Sequence, residues 1–284
     1  MKIIHKIDEI REIVKEAKKN GKKIGLVPTM GCLHAGHASL IKKSVENADI
    51  TIVSVFVNPI QFGPNEDYDK YPRTLENDAK LCEEIGANYI FAPSAAEMYP
   101  GLQKFSDLTM VAPPYALTDM LCGKSRVGHF DGVATVVTKL FNLTSPDIAC
   151  FGMKDIQQLH IIKKMVKDLN FSVDIISCPL VREESGIALS SRNKYLSESD
   201  KKTALTISKA LFAIKNGYEK GIKDTKLLFD TAMTVLDPAI ELDYLEFVEK
   251  ETFEPVSEIN SPTIAAIAAK VGAVRLIDNI IIGE

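Results

Sequence analysis

The sequence predicts an α/β protein in which a doubly wound parallel sheet precedes a smaller α+β domain. Two observations carry that expectation. Over residues 1–177, short apolar strands alternate with helices of about 10 to 15 residues, the rhythm of a parallel sheet covered by helices on both faces. Beyond that point two lysine-rich helical stretches follow one another before the strands resume, which divides the chain into domains at 1–177 and 178–284. A length of 284 residues suits two domains at roughly 150 residues each.

Each element has its own justification. Ile10, Ile13, Val14 and Ala17 recur at helical spacing over 7–20, and Gly21 supplies the stop. Residues 23–28 read as a short apolar strand, 36–47 as a helix and 50–57 as a β-branched buried strand. A long loop rich in Pro, Asn and Asp covers 58–73. The alternation then resumes with a helix at 75–85, a strand at 89–92, a helix at 132–142, a strand at 148–151, a helix at 155–169 and a strand at 173–176. In the second domain, helices at 199–216 and 223–236 precede strands at 242–248 and 263–271. No internal repeat or heptad is present.

Composition excludes several classes of function. The 46% apolar and 25% charged residues are those of a protein with a full core. Uninterrupted apolar runs, such as Ile280 to Ile282, fall far short of the roughly 18 residues of a membrane span. Asp8, Glu9 and Glu12 interrupt any secretory apolar region, so a cytoplasmic protein with no membrane contact is expected. Lys and Arg number 34 against 38 Asp and Glu; residues 1–177 hold 21 of each sign and the remainder 13 against 17. Without a basic excess, no nucleic-acid partner is expected. The five cysteines, Cys32, Cys82, Cys122, Cys150 and Cys178, form no C-x-x-C pair and read as reduced thiols.

Three segments could carry chemistry. The first, Met30-Gly31-Cys32-Leu33-His34-Ala35-Gly36-His37, leaves the first strand and enters a helix. Ligands of open α/β sheets bind outside the carboxyl ends of strands, where a helix N-terminus offers amides and a positive dipole to phosphate. His34 and His37 share one face of the first turn, and both can donate to phosphate oxygens. The same residues also read as an ordinary strand-to-helix turn, and Cys32, His34 and His37 are possible ligands of a transition metal. The second segment, Gly152-Met153-Lys154-Asp155, again follows a strand; its Lys154 is either a point charge at the sheet edge or a solvated lysine beside an N-cap. The third, Leu189-Ser190-Ser191-Arg192, could close over a triphosphate or be a plain polar turn.

Taken in order along the chain, these motifs resemble the pantoate–β-alanine ligases (pantothenate synthetases), a family of the nucleotidyltransferase superfamily related to class I aminoacyl-tRNA synthetases. The resemblance rests on Val27-Pro28-Thr29-Met30-Gly31 with Leu33-His34 and Gly36-His37, Phe56-Val57-Asn58-Pro59 with Gln61-Phe62, Tyr71-Pro72-Arg73-Thr74, and Gly128-His129-Phe130. It continues through Gly152 with Lys154-Asp155 and Gln157-Gln158, Leu189-Ser190-Ser191-Arg192-Asn193, and Arg275-Leu276-Ile277-Asp278-Asn279.

What the resemblance implies is a Rossmann-like first domain with the smaller domain closing over an ATP site. The implied reaction condenses (R)-pantoate with β-alanine to pantothenate, AMP and diphosphate through a pantoyl adenylate, a step toward coenzyme A. ATP contacts would come from Met30, Gly31, Cys32, Leu33, His34, Ala35, Gly36 and His37, from Gly152, Met153, Lys154 and Asp155, and from Val181, Leu189, Ser190, Ser191 and Arg192. His37 would donate the proton, with His34, Lys154 and Arg192 joining it in catalysis. Gln61 and Gln158 would hold pantoate, and Gln61 β-alanine as well. Mg2+ is expected with ATP, with Asp78 as a partner through water, and relatives suggest a homodimer. The chain departs from the family pattern at Asn77, Asp131 and Met153. Two other readings remain: a transferase that passes a nucleotide to a phosphate ester, and a noncatalytic nucleotide sensor.

Overall fold

Parallel pairing of short, fully buried strands organises the first part of the chain. The computed structural model describes residues 1–64, 66–102 and 107–284. The chain runs through β1 (Lys2–Ile4), α1 (Ile7–Lys19), β2 (Ile24–Thr29), α2 (Ala35–Asn47), β3 (Ile50–Val55), α3 (Leu75–Ile85) and β4 (Tyr89–Phe91). Three short helices follow, α4 (Ala95–Met98), α5 (Tyr115–Thr118) and α6 (Leu121–Ser125), and then α7 (His129–Thr144), β5 (Ile148–Gly152), α8 (Ile156–Asp168) and β6 (Asp174–Cys178). The remainder is α9 (Glu198–Glu219), α10 (Thr225–Met233), β7 (Glu241–Glu249), β8 (Thr263–Val271) and β9 (Val274–Ile282).

The chain packs as two compact units. The first comprises Met1–Thr118, Arg126–Met153 and Gln157–Pro179; the second comprises Asp119–Ser125, Lys154–Ile156 and Leu180–Glu284. In the first, six strands form a parallel sheet in the order β1-β4-β3-β2-β5-β6. From β2 the chain adds β3 and β4 on one side, then returns to add β5 and β6 on the other. Order therefore reverses between the adjacent strands β2 and β5, and a crevice at their carboxyl ends is where doubly wound sheets bind ligands. Val27, Ile41, Val53, Ile90 and Cys150 are wholly buried and seal α2 onto the sheet. Such dry, interlocked packing makes the strand ends a rigid platform.

In the second unit the strands β7-β8-β9 form an antiparallel sheet, and α9 and α10 share its core through Leu211, Ile214, Leu228, Ala265 and Ile267, all without solvent exposure. Ser197 starts α9 with a capping box: its hydroxyl accepts the Asp200 amide at 3.2 Å while the Asp200 carboxylate accepts the Ser197 amide at 3.1 Å.

Two strands lie outside the sequence expectation. β1 has only three residues and pairs at the sheet edge, too short to show a period. β9 is hidden because Asp278 and Asn279 occupy buried positions in it and break the apolar pattern. α7 begins three residues ahead of the expected 132, directly after Gly128 in the left-handed region at φ +79°. The loop expected over 58–73 contains a 3-10 turn at Pro59–Gln61.

Candidate active site

The turn leaving β2 is built by short polar contacts. Thr29 is a pivot: its hydroxyl donates to the Ser54 carbonyl at 2.7 Å on β3 and accepts the Gly31 amide at 3.1 Å. The chain then turns through two left-handed residues, Gly31 at φ +83° and Cys32 at φ +52°. A side chain at Gly31 would press on Asp78 and Val55, each 3.0 Å from an added Cβ, so glycine meets both the backbone and the space requirement. Asp78 on α3 is 2% exposed and holds this turn open. Its Oδ2 accepts the Cys32 amide at 3.0 Å, and its Oδ1 accepts the Leu33 amide at 2.8 Å and the Thr74 hydroxyl at 3.1 Å.

The two histidines then close the end of α2. His34 is the N-cap, its Nδ1 accepting the Gly36 amide at 3.1 Å; His37 returns the contact, its Nδ1 accepting the His34 amide at 3.4 Å. The rings stand 4.2 Å apart between centroids. An Nδ1 that accepts from a backbone amide must carry a lone pair, so in each neutral ring the hydrogen sits on Nε2. The α2 N-terminus, which has no acidic residue in its first turn, thus carries two imidazoles whose Nε2–H groups are donors suited to phosphate.

Gln61 adjoins this turn. Its Nε2 donates to the Met30 sulfur at 3.2 Å, and its Oε1 accepts from Asn58 Nδ2 at 2.9 Å. Asn58 is 1% exposed; it also donates to the Gly132 carbonyl at 3.1 Å and accepts the Tyr99 hydroxyl at 2.8 Å. Burial pushes the Tyr99 phenol well above its ordinary value, which keeps it a donor. From α7, His129 Nδ1 donates to the Gln61 carbonyl at 2.8 Å, and its Nε2 accepts from Arg126 at 2.9 Å. Arg126 is bidentate to Glu66, with both contacts at 2.6 Å. Burial alone would raise the Glu66 carboxyl, but the Arg126 hydrogen bonds and charge outweigh it and hold the group below the usual range. Gly132 lets α7 approach this far: an added Cβ would meet the Ile60 carbonyl and lie 2.6 Å from Gln61 Cα and 2.7 Å from Gln61 N.

At the end of β5, Gly152 and Met153 belong to the first unit, as does half-buried Gln158 on α8. Its neighbour Gln157 is buried and donates to the Leu117 carbonyl at 2.9 Å. The remaining expected residues belong to the second unit. Lys154 Nζ lies 3.5 Å from Asp155 Oδ2, and the Lys154 carbonyl accepts from Asn279 Nδ2 at 2.9 Å. Val181 and Leu189 pair across a hairpin, the Leu189 amide donating to the Val181 carbonyl at 3.0 Å. Ser190 caps the 3-10 turn Ser191–Tyr195 by accepting the Arg192 amide at 3.3 Å. Asn193 braces that turn through Glu183 at 2.7 Å and the Ala188 carbonyl at 3.1 Å.

The donor set does not fit a protein-built metal cage. Among the described residues no three His, Cys, Asp or Glu side chains converge, Cys32 is wholly buried, and Asp78 directs both oxygens to the turn. Tyr99, Arg126, Gly132 and Glu66 carry no local sequence sign of a site; Asn58 stands within the Phe56–Pro59 motif, and the Gly128–Phe130 motif marked only the neighbourhood of Arg126 and Gly132.

A parallel sheet with an imidazole-lined helix N-terminus at its switch point defines a nucleotide-binding α/β enzyme. Comparison with known proteins narrows the class. The family model for pantoate-beta-alanine ligase matches residues 2–281. The chain is 52% identical to a pantothenate synthetase of Caldicellulosiruptor saccharolyticus and 49% identical to one of Acetivibrio thermocellus, covering 99% of each chain in both cases. The crystal structure of pantothenate synthetase from Thermus thermophilus superimposes with a TM-score of 0.92 at 40% identity, covering 99% of both chains. That of the Francisella tularensis ligase, complexed with beta-gamma ATP and beta-alanine, gives 0.80 at 37%, covering 99% of this chain and 97% of the other. The chain belongs to the pantoate–β-alanine ligase family.

Proposed function

We propose that the chain catalyses the ATP-dependent condensation of (R)-pantoate with β-alanine in two steps. The observation that carries this reading is the juxtaposition of the imidazole-lined turn with the Gln61 carboxamide, joined through Met30 at 3.2 Å. A phosphate-binding group and a carboxamide suited to a hydroxy acid then face one reaction centre.

In the first step a pantoate carboxylate oxygen attacks the α-phosphorus of ATP and pyrophosphate leaves, giving the pantoyl adenylate. Residues 30–37 hold the nucleotide, with the His34 and His37 Nε2–H groups donating hydrogen bonds to phosphate oxygens; His37 is the proton donor in this sense, its Nε2–H bonding to the departing pyrophosphate oxygen without leaving the ring. Gly152, Met153, Lys154 and Asp155 also contact ATP, together with Val181 and the Leu189, Ser190, Ser191 and Arg192 loop. Lys154 and Arg192 offset the negative charge that develops at phosphorus. Gln61 and Gln158 hold pantoate. In the second step the β-alanine amine, bound beside Gln61, attacks the acyl carbon; AMP leaves and the amine loses a proton.

Magnesium would accompany the nucleotide and offset the charge of its phosphates, held by phosphate and water as is usual for this hard cation, since both Asp78 oxygens are committed to the turn. Asp78 shapes the turn that would receive the nucleotide phosphates. We further propose domains at 1–177 and 178–284, the second closing over ATP, a homodimeric assembly and a cytoplasmic location. Among the described residues no helix is long and apolar enough to cross a membrane.

ATP–pyrophosphate exchange with magnesium and (R)-pantoate, followed by addition of β-alanine, tests the reaction. Pantoate-dependent exchange and amine-dependent AMP release are expected. Nucleotide transfer without AMP would favour the phosphate-ester transferase, and binding without turnover the sensor. His37→Ala and Lys154→Ala should each lose roughly 2 to 4 kcal/mol of transition-state stabilisation; near-normal exchange in both would overturn their assignment.

A further inference from the structure

The last strand of the chain carries two buried polar residues, Asp278 at 4% and Asn279 at 6% exposure, in a sheet whose other buried positions, Thr263 apart, are apolar. Polar groups survive burial when they are satisfied, so their partners show what they are for. Asp278 takes Arg182 bidentately at 2.6 and 2.9 Å, and Arg182 also donates to the Gly186 carbonyl at 3.2 Å. That pair fastens the Val181–Leu189 hairpin to β9. Asn279 reaches elsewhere. Its Nδ2 donates at 2.9 Å to the main-chain carbonyl of Lys154, 125 residues away along the chain. A carbonyl only accepts, so the amide orientation is settled: the NH2 faces Lys154.

Lys154 lies in a one-turn 3-10 segment, Met153–Asp155, between β5 and α8. Turns this short have few hydrogen bonds of their own, and an outside donor then decides how the peptide is set. The direction in which a lysine leaves the main chain follows from that peptide, and a shift of about 1 Å at a charge-stabilising group is costly in rate. We propose that Asn279 is a positioning residue for Lys154, fixing through its carbonyl the main chain from which the ammonium group meets the transferring phosphate. The inference rests on the proposed role of Lys154 in adenylation. It assigns to Asn279 a task in the reaction that the residue performs without touching substrate.

A double-mutant cycle separates positioning from mere structural support. Pantoate-dependent ATP–pyrophosphate exchange is measured for the unaltered chain, Asn279→Ala, Lys154→Ala and the double variant, at high enzyme concentration so that the slow variants remain readable. Asn279→Ala should lower kcat on the order of 10-fold, the rate equivalent of one hydrogen bond, with the pantoate KM within about 2-fold. In the Lys154→Ala background the same substitution should change kcat by less than about 2-fold, because the group being positioned is gone. An equal loss in both backgrounds, or no loss in the first, overturns the proposal. If Asn279→Ala fails to fold, Asn279→Leu fills a similar volume without a donor and is read in the same cycle. Failure of the unaltered chain to exchange would instead sink the functional reading.

Discussion

Replacing Gly132 by alanine should harm this protein, although in most helices the change would help it. Alanine gains about 1 kcal/mol over glycine in a helix interior. Here the new methyl group would lie 2.6 Å from Gln61 Cα and 2.7 Å from Gln61 N, both backbone atoms that cannot rotate aside. The Ile60 carbonyl oxygen would lie closer still, and ordinary contact begins near 3.4 Å, so α7 and the Pro59–Gln61 turn must separate by about 1 Å. Overpacking of this kind costs typically 1–3 kcal/mol, and with backbone atoms at every close contact the upper part of that range, about 2–3 kcal/mol, applies; this reverses the propensity gain and leaves a net loss of about 1–2 kcal/mol. In a chain of this size that corresponds to roughly 2–8 °C in melting temperature. The movement also draws the Gln61 carboxamide away from Asn58 and Met30. Misplacement approaching 1 Å can cost about 100-fold, so pantoate-dependent exchange should fall on the order of 10- to 100-fold. The pantoate KM should rise while ATP affinity stays within about 2-fold. A melting temperature at or above that of the unaltered chain, with an unchanged pantoate KM, would refute the reasoning.

Two further predictions follow from the carboxylates around the site. Asp78→Asn turns an NH2 group toward one of the Cys32 and Leu33 amides, and should lower stability by about 2 kcal/mol and weaken ATP binding, both read by thermal melts with and without nucleotide. Unchanged ATP affinity in the variant would mean that the turn does not depend on this carboxylate. Glu66 ionises below its ordinary value of 4.5, so its contribution is complete above that pH and disappears as pH falls through the lower folded-state value. Glu66→Gln should therefore cost about 1 kcal/mol at pH 7, allowing for solvent screening of a pair that is about one-quarter exposed, and nothing once the carboxyl is protonated at lower pH. A deficit that persists at low pH would rule out the charge as its source.

What the sequence discloses here depends on distance along the chain. The β2 turn and its histidines were legible because cap, glycine and helix start lie within eight residues, where spacing alone places side chains on one face. The bounds of α3 and β8 follow from unbroken local periodicity. Gly132 was not legible: a glycine in a helix reads as a blemish until the Pro59–Gln61 turn, some 70 residues earlier, is seen against it. Tyr99 braces Asn58, and through it Gln61, from 41 residues further along the chain. β9 escaped for a related reason, since its buried polar residues are satisfied by Arg182 and by the Lys154 carbonyl, partners that no window along the sequence includes.

The hydrogen bond between Asn279 and Lys154 also has a bearing on how the protein comes into being. Its donor is translated 125 residues after its acceptor. A ribosome therefore exposes the Met153–Asp155 turn, and most of the second unit, while this contact is still open. Loss of β9 by premature termination or trimming would leave Lys154 present in sequence yet unsecured. On the role proposed for Asn279, a product lacking β9 keeps Lys154 but loses the hydrogen bond that sets it, and its ATP consumption should fall by at least the order of 10-fold expected of Asn279→Ala.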